Sequence, residues 1–229
     1  MKTAIIIGAS GLVGSALLER ILSGVEYKVV KVFVRKSLNI QHPKLQEFII
    51  DFDMLGEHRN DFSGHDLYLC LGTTIKIAKN KEQFYKVDHT YTIGVAGLCF
   101  RNNVRKVVLI SSNGADVDSS IFYSKVKGEV ERDLCKIGYN QVHIMRPSLL
   151  LGDRKNARLG EKIGEFMSKL LSFAFVGPLK KYKPIGAVDV ARVMYLVAQD
   201  NIRAINENSY SNSNIHIYES DEIQMLANQ

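Results

Sequence analysis

The sequence predicts an α/β fold: a parallel β-sheet with helices packed on both of its faces. Apolar runs of strand length alternate along the chain with amphipathic runs of helix length, which is typical of parallel sheets. The strand runs are apolar almost throughout, as expected for strands that are buried on both faces. We expect strands at Thr3–Gly8, Val29–Arg35, Gln46–Asp51, Asp66–Leu71, Lys106–Ser111, Gln141–Arg146 and Ile215–Tyr218.

Amphipathic segments predict the helices, and the rhythm of the chain changes after Arg146-Pro147. We therefore expect one domain over residues 1–229, in which residues from about 147 onward form a small lobe on the substrate side. The polar link Asp53–His65 has room for about one helical turn. Helices are predicted at Leu12–Leu22, Lys81–Arg101, Tyr123–Ile137, Glu161–Leu171 and Val190–Gln199, the last with Asp189 as its N-cap.

The composition is that of an ordinary globular chain, with 46% hydrophobic and 24% charged residues. The net charge of +6 is scattered and suits an anionic ligand, and because no basic stripe with aromatic residues is present we expect no nucleic acid partner. No apolar stretch is long enough for a membrane span. The three cysteines lie far apart in apolar contexts, so we expect reduced core residues in a soluble, cytoplasmic protein.

The glycine-rich segment GASGLVG, Gly8 to Gly14, follows the first strand and opens the first helix. In this frame Gly8 allows a tight turn, Gly11 lets the backbone approach a pyrophosphate, and Gly14 lets the helix pack on the strand. The pyrophosphate would meet the unpaired N–H groups and the positive end of the helix. The segment predicts a dinucleotide-binding, Rossmann-like doubly wound sheet.

The end of the second strand favours NADP(H) over NAD(H). Dinucleotide-binding proteins that prefer NAD carry Asp or Glu at this point, where a carboxylate binds the ribose hydroxyl. This chain has Arg35 and Lys36 instead, and a guanidinium suits the additional phosphate of NADP. A solvated pair of cations is the alternative, so NAD remains open.

Two further strand ends are expected beside the cofactor. Asp51 and Phe52 follow the third strand, where the carboxylate would accept a hydrogen bond from the adenine amino group. Leu71, Gly72 and Thr73 follow the fourth strand, where a glycine permits the backbone to approach a ribose closely.

A YxxxK pair, Tyr123 and Lys127, opens the helix after the fifth strand. Residues four apart share one face of a helix, so the phenol and the ammonium would face the same ligand. The ammonium favours the phenolate form, which makes a tyrosine useful in acid–base chemistry. Ser111 and Ser112 end the fifth strand, and either hydroxyl could hold a carbonyl oxygen.

The motifs GASGLVG, ISSNGAD, YSKVKGEVE, MRPSLLLGDR and IGAVDVARVM resemble the extended or atypical short-chain dehydrogenase/reductase superfamily. The likeness covers Lys2 to about Ala198 and is greatest to the Tat-interacting oxidoreductase-like NADPH-binding group, which includes nucleoside-diphosphate-sugar epimerase-like bacterial members. It implies a Ser–Tyr–Lys arrangement on Ser111 or Ser112, Tyr123 and Lys127. The resemblance also implies cofactor contacts at Ser10, Gly11, Leu12, Val13, Arg35, Lys36, Gly72, Thr73, Leu150 and Arg158. Lys127 of the YxxxK pair could also bind the nicotinamide ribose.

The leading functional hypothesis is an NADPH-dependent oxidoreductase that acts on a small carbonyl or alcohol. The alternatives are an NADPH-binding regulatory or redox-sensing protein without significant turnover, and an epimerase-like enzyme with bound NAD. The histidines and cysteines show no ligand spacing, so no metal is expected. The helix at Lys81–Arg101 could pair across a homodimer.

Overall fold

A seven-stranded parallel sheet forms the centre of the protein, in the order β3-β2-β1-β4-β5-β6-β9. The structure is a computed structural model that describes residues 2–152, 182–200 and 214–229. Two short strands, β7 and β8, form a separate parallel pair. In chain order the strands are β1 (Lys2–Ile7), β2 (Tyr27–Val34), β3 (Leu45–Ile49), β4 (Asp66–Leu69), β5 (Lys106–Ile110), β6 (Gln141–Arg146), β7 (Leu150–Leu151), β8 (Ile185–Gly186) and β9 (Ile215–Glu219).

Helices connect the strands and cover both faces of the sheet. A 3₁₀ helix at Phe52–His58 follows β3, and a π-helical segment at Lys86–Tyr91 joins α3 to α4. The α-helices are α1 (Leu12–Ser23), α2 (Ile75–Ala78), α3 (Lys81–Tyr85), α4 (Thr92–Arg101), α5 (Phe122–Cys135), α6 (Ala187–Ala198) and α7 (Ser220–Ala227). The predicted α/β, Rossmann-like doubly wound fold is confirmed.

Two hydrophobic clusters lie on opposite faces of the sheet. Successive side chains of a strand point to opposite faces, so Ile6 joins the cluster under α1 and α6, while Ile5 and Ile7 join the cluster under α4 and α5. All three side chains are fully buried. The nearly continuous apolar character of β1 is therefore explained by two covered faces rather than one.

The strand order reverses beside β1, which pairs with β2 on one side and β4 on the other. In open parallel sheets, ligands bind outside the carboxyl ends of the strands at such a reversal. The loops after β1, β4 and β5 meet at this edge, and the predicted site residues come mainly from them.

The structure corrects three of the sequence-based expectations: two helix boundaries and the burial of one strand. The predicted helix Lys81–Arg101 is divided by the π segment, and α6 begins at Ala187 with Gly186 as its N-cap, so Asp189 lies in the first turn. Strand β3 lies at the edge of the sheet and is only partly buried. The predicted helix Glu161–Leu171, and with it most of the predicted lobe, lies outside the described residues.

Candidate functional site

The loop from Gly8 to Gly14 has a shape that only glycine permits at two of its positions. Gly8 has φ +84°, and a Cβ atom there would lie 2.4 Å from the carbonyl oxygen of Cys70. A Cβ atom on Gly14 would lie 2.2 Å from the carbonyl oxygen of Gly8. The turn is closed by the N–H of Gly11, which donates to the carbonyl of Gly8 at 2.9 Å. At Gly8 and Gly14 the loop therefore has no room for a side chain.

The N-terminus of α1 fits a phosphate group. Its N-cap is Gly11, which has no side chain to occupy the first N–H groups, and the first turn carries no acidic residue. Ser10 and Gly11 are exposed, Leu12 is half-buried and Val13 is buried. A helix of this length presents unpaired N–H donors and a positive dipole end to an anion. The residues present therefore fit the pyrophosphate of a dinucleotide.

Arg35 and Lys36 extend from the end of β2 beside this loop. Both side chains are exposed, and neither forms an ion pair with another described residue. The loop after them is held by Glu47 of β3, which accepts hydrogen bonds from Ser37 Oγ at 2.6 Å and from the N–H of Leu38 at 2.7 Å. The nearby carboxylate is thus occupied by the protein itself, and the two cations face solvent.

The structure gives Asp51 and Phe52 local roles after β3. The Asp51 carboxylate accepts from the N–H of Asp53 at 2.9 Å and caps the 3₁₀ helix. The Phe52 side chain is buried and lies against Tyr91, with ring centroids 5.5 Å apart. Contact of Asp51 or Phe52 with adenine stays a prediction, and the Phe52 ring belongs to the core.

The turn after β4 meets the YxxxK helix. Leu71 is half-buried, Gly72 is exposed, and the N–H of Thr73 donates to Asp88 Oδ2 at 2.9 Å. A Cβ atom on Gly72 would lie 4.0 Å from Lys127 Nζ. The predicted ribose-binding turn and the predicted catalytic lysine are therefore neighbours, although they are far apart in the sequence.

Tyr123 and Lys127 lie on α5, one helical turn apart, at the carboxyl edge of the sheet. Tyr123 is 37% exposed and packs against the Phe84 ring at 5.7 Å between centroids, whereas Lys127 is buried. Lys127 Nζ lies 2.8 Å from Asp88 Oδ1, and the Asp88 side chain is fully buried. We call Tyr123, Lys127, Asp88 and the backbone of Thr73 the Lys127 corner.

The charge of Lys127 is maintained by its partner. Burial lowers the pKa of this ammonium, but the charge and hydrogen bond of Asp88, together with nearby Tyr123 and Glu131, shift the Lys127 pKa upward overall. Sequence reasoning missed Asp88. The π segment places it toward α5, and the available signal was an acidic residue among the buried positions of the predicted helix Lys81–Arg101.

The two candidate serines have different environments. Ser111 is buried and its hydroxyl donates to Glu131, which is also buried. Glu131 in turn binds Arg146 at 2.6 Å, and the hydrogen bond and charge of Glu131 raise the pKa of the Arg146 guanidinium despite its partial burial. The Ser112 hydroxyl is buried and has no hydrogen-bond partner within the described part of the chain.

The remaining predicted residues are placed only in part. Leu150 lies in β7, and Gly152, which follows β7, packs so closely on Leu12 that a Cβ there would lie 2.8 Å from it. Arg158 lies outside the described residues. The cysteines are free, and the described ranges contain no metal-binding cluster and no helix that could span a membrane.

Comparison with known families defines the class of the protein. The NAD dependent epimerase/dehydratase family matches residues 4–210, and the chain belongs to it. The resemblance to extended short-chain dehydrogenases/reductases is thereby confirmed, and the protein is an NAD(P)-binding member of that superfamily.

Two relatives are similar to this chain over 70% and 99% of its length. The chain is 35% identical to Protein HTATIP2 of Rattus norvegicus over 164 residues, covering 70% of this chain and 67% of that protein. It is 30% identical to Protein FMP52, mitochondrial, of Eremothecium gossypii over 229 residues, covering 99% of this chain and 97% of that protein.

Solved structures share the fold at low sequence identity. MoeE5 in complex with UDP-glucose and NAD has a TM-score of 0.65 at 16% identity, covering 99% of this chain and 81% of that chain. The UDP-N-acetylglucosamine 4-epimerase from Methanobrevibacter ruminantium M1, in complex with UDP-N-acetylmuramic acid, has a TM-score of 0.66 at 15% identity. The match covers 95% of this chain and 75% of that chain. The family and fold are thus those of NAD(P)-dependent oxidoreductases and epimerases.

Proposed function

We propose that the protein is an NADPH-dependent oxidoreductase that reduces a carbonyl compound or oxidises the corresponding alcohol. The observation that carries this proposal is the position of Lys127: buried, one turn from Tyr123, and beside the Gly72 turn at the carboxyl edge of the sheet. A buried ammonium is costly unless it is paired, and a solvated surface lysine would have no need of this position.

Each side chain of the site has a task in this reaction. The bound nicotinamide would supply or accept the hydride. Tyr123, which is partly exposed, transfers the proton to or from the substrate oxygen, and the Lys127 ammonium lies one helical turn away from it. Ser112 is the better candidate for orienting the substrate oxygen, because its hydroxyl lacks a partner while that of Ser111 is bound to Glu131.

The cofactor choice rests on Arg35 and Lys36. Two exposed cations without described ion-pair partners suit a ribose phosphate, and a bidentate guanidinium is well matched to it. We expect Arg35→Ala to weaken NADPH binding about tenfold or more and to leave NADH binding nearly unchanged. Fluorescence titrations of both cofactors measure this, with Lys28→Ala, an exposed cation at the opposite end of β2, as the control. If NADH binds as tightly as NADPH in both proteins, the cofactor choice is wrong.

A substrate screen tests the oxidoreductase itself. NADPH oxidation should be followed with aldehydes, ketones and quinones at saturating cofactor, and at least one class should be turned over. If NADPH binds tightly and none of these compounds is reduced, the protein fits a cofactor-binding regulator instead. If bound NAD is recycled while a nucleotide sugar is interconverted, the epimerase alternative replaces the proposal.

A further inference from the structure

The carboxylate of Asp88 joins two parts of the site. Its Oδ1 atom lies 2.8 Å from Lys127 Nζ on α5, and its Oδ2 atom accepts from the N–H of Thr73 at 2.9 Å. The side chain is fully buried, so water does not compete for either oxygen. Both oxygens are thus committed, one to the helix that carries Tyr123 and the other to the turn after β4.

The ion pair with Asp88 weakens the electrostatic effect of the Lys127 ammonium on the Tyr123 phenol. An ammonium one helical turn from a phenol stabilises the phenolate form, and the effect is strong where solvent screening is weak. A carboxylate in contact with the same ammonium offsets most of its charge at the distance of the phenol. A lysine alone would favour a tyrosine that acts as a base, whereas a neutral ion pair leaves the tyrosine as an acid.

Among the described residues, no other charged group near Tyr123 takes the place of the Lys127 charge that Asp88 offsets. Glu131, the next residue on this face of α5, is neutralised by its ion pair with Arg146. From α3 the phenol meets the uncharged ring of Phe84. In the loop before α5, Asp116 is exposed and its carboxylate accepts from the N–H of Asp118. The charge near Tyr123 therefore depends mainly on Lys127 and Asp88.

We propose, on the basis of the function proposed above, that Asp88 balances the charge of Lys127 and thereby makes Tyr123 a proton donor rather than a base. In carbonyl reduction a bound NADPH would supply the hydride for the new C–H bond, while the Tyr123 O–H bond breaks as its proton passes to the carbonyl oxygen. The products are an alcohol and NADP⁺, and water returns the proton to Tyr123. Asp88 is a positioning residue because it acts through Lys127.

The test is the ionisation of Tyr123 in the full-length protein, read from ultraviolet absorbance after subtraction of a Tyr123→Phe background. In Asp88→Asn we expect the Tyr123 phenol to ionise about one pH unit or more below its midpoint in the wild type. The matched control is Asp133→Asn, because Asp133 of α5 binds His89 of the same π segment at 3.0 Å and thus joins the same two elements. The control should leave the midpoint unchanged.

Two further readouts keep the proposal open to contradiction. In turnover assays the rate of carbonyl reduction should decrease as the pH rises and Tyr123 ionises. This decrease should begin at a lower pH in Asp88→Asn than in Asp133→Asn. If Asp88→Asn does not fold, the variant Asp88→Asn/Lys127→Gln removes both charges, and its Tyr123 midpoint should match the wild type. A midpoint unchanged in Asp88→Asn, or raised by about one unit in the double variant, overturns the proposal. The absorbance titration needs no turnover, so a failed substrate screen contradicts only the oxidoreductase.

Discussion

The glycine loop and the Lys127 corner lie at the same edge of the sheet but are held together by different forces. The loop depends on backbone sterics: a Cβ atom at Gly8 or Gly14 would come within 2.4 Å and 2.2 Å of a carbonyl oxygen. The corner depends on a buried charge pair, in which Lys127 and Asp88 have almost no exposed surface. In the proposed function the first region binds the cofactor, whereas the second sets the charge around Tyr123.

Because different forces hold them, the two regions should respond differently to amino-acid substitution. The steric fit at Gly8 and Gly14 fails when any side chain is added there, whatever its charge or polarity. A buried ion pair fails when one partner is removed, because the other charge then stays in the interior without compensation. Substitutions that add volume should therefore affect the glycine loop most, and substitutions that remove a charge should affect the Lys127 corner most.

The largest effect on stability is expected in the loop. Gly8→Ala places a methyl group against Cys70 and imposes φ +84° on a residue that rarely adopts it, so we expect a loss of about 4 kcal/mol in the free energy of unfolding. Denaturant titration measures this. The control is Gly56→Ala, where a Cβ would meet nothing within 4 Å. A cost for Gly8→Ala no larger than for Gly56→Ala would contradict the steric explanation.

The two regions also differ in how much of them the sequence predicts. Gly8, Gly11 and Gly14 are close in the chain, and the strand before them and the helix after them supply the context that gives the spacing its meaning. The helical spacing of Tyr123 and Lys127 was equally readable. Both parts follow from local periodicity, and the parallel sheet follows from the alternation of apolar and amphipathic runs.

Asp88 could not be assigned because its role depends on tertiary packing. The predicted continuous helix gave no sign of the π segment that directs Asp88 at Lys127. The choice between Ser111 and Ser112 was open for a similar reason, since it depends on Glu131, which comes from another element. Spacing identifies residues on one element, but the partner of a buried charge is fixed by contacts between elements.

A smaller loss of stability is expected from the ion network next to the corner. Glu131→Gln removes the charge that binds Arg146 at 2.6 Å and the acceptor of Ser111, so we expect the free energy of unfolding to fall by about 3 kcal/mol. Asp133→Asn, on the more exposed side of the same helix, should cost less than half as much. Equal losses would show that burial of the pair has no special importance.

The smallest effect comes from a buried titratable group outside both regions. Burial, with the nearby charges of His216 and Lys106, lowers the pKa of His143 to about 3 from 6.5. The unfolded chain takes up the proton first as the pH falls, so stability is complete above about 6.5 and is lost toward about 3.

Between pH 7 and 5, His143 should account for about 2 kcal/mol of lost stability. Urea titrations of the wild type and His143→Gln across this range measure the difference in slope, with His58→Gln, a half-exposed histidine, as the control. If His143→Gln retains the full pH dependence of the wild type, another group is responsible.

Replacement of Tyr123 by Phe is the most direct test of the division between a binding loop and a chemical corner. The same preparation of Tyr123→Phe is titrated with NADPH and assayed with the best carbonyl substrate of the wild type. We predict that the Kd for NADPH stays within about twofold, because Tyr123 is not part of the glycine loop, while kcat falls by about a hundredfold or more. An unchanged kcat, or a loss of activity explained entirely by weaker NADPH binding, would contradict the account.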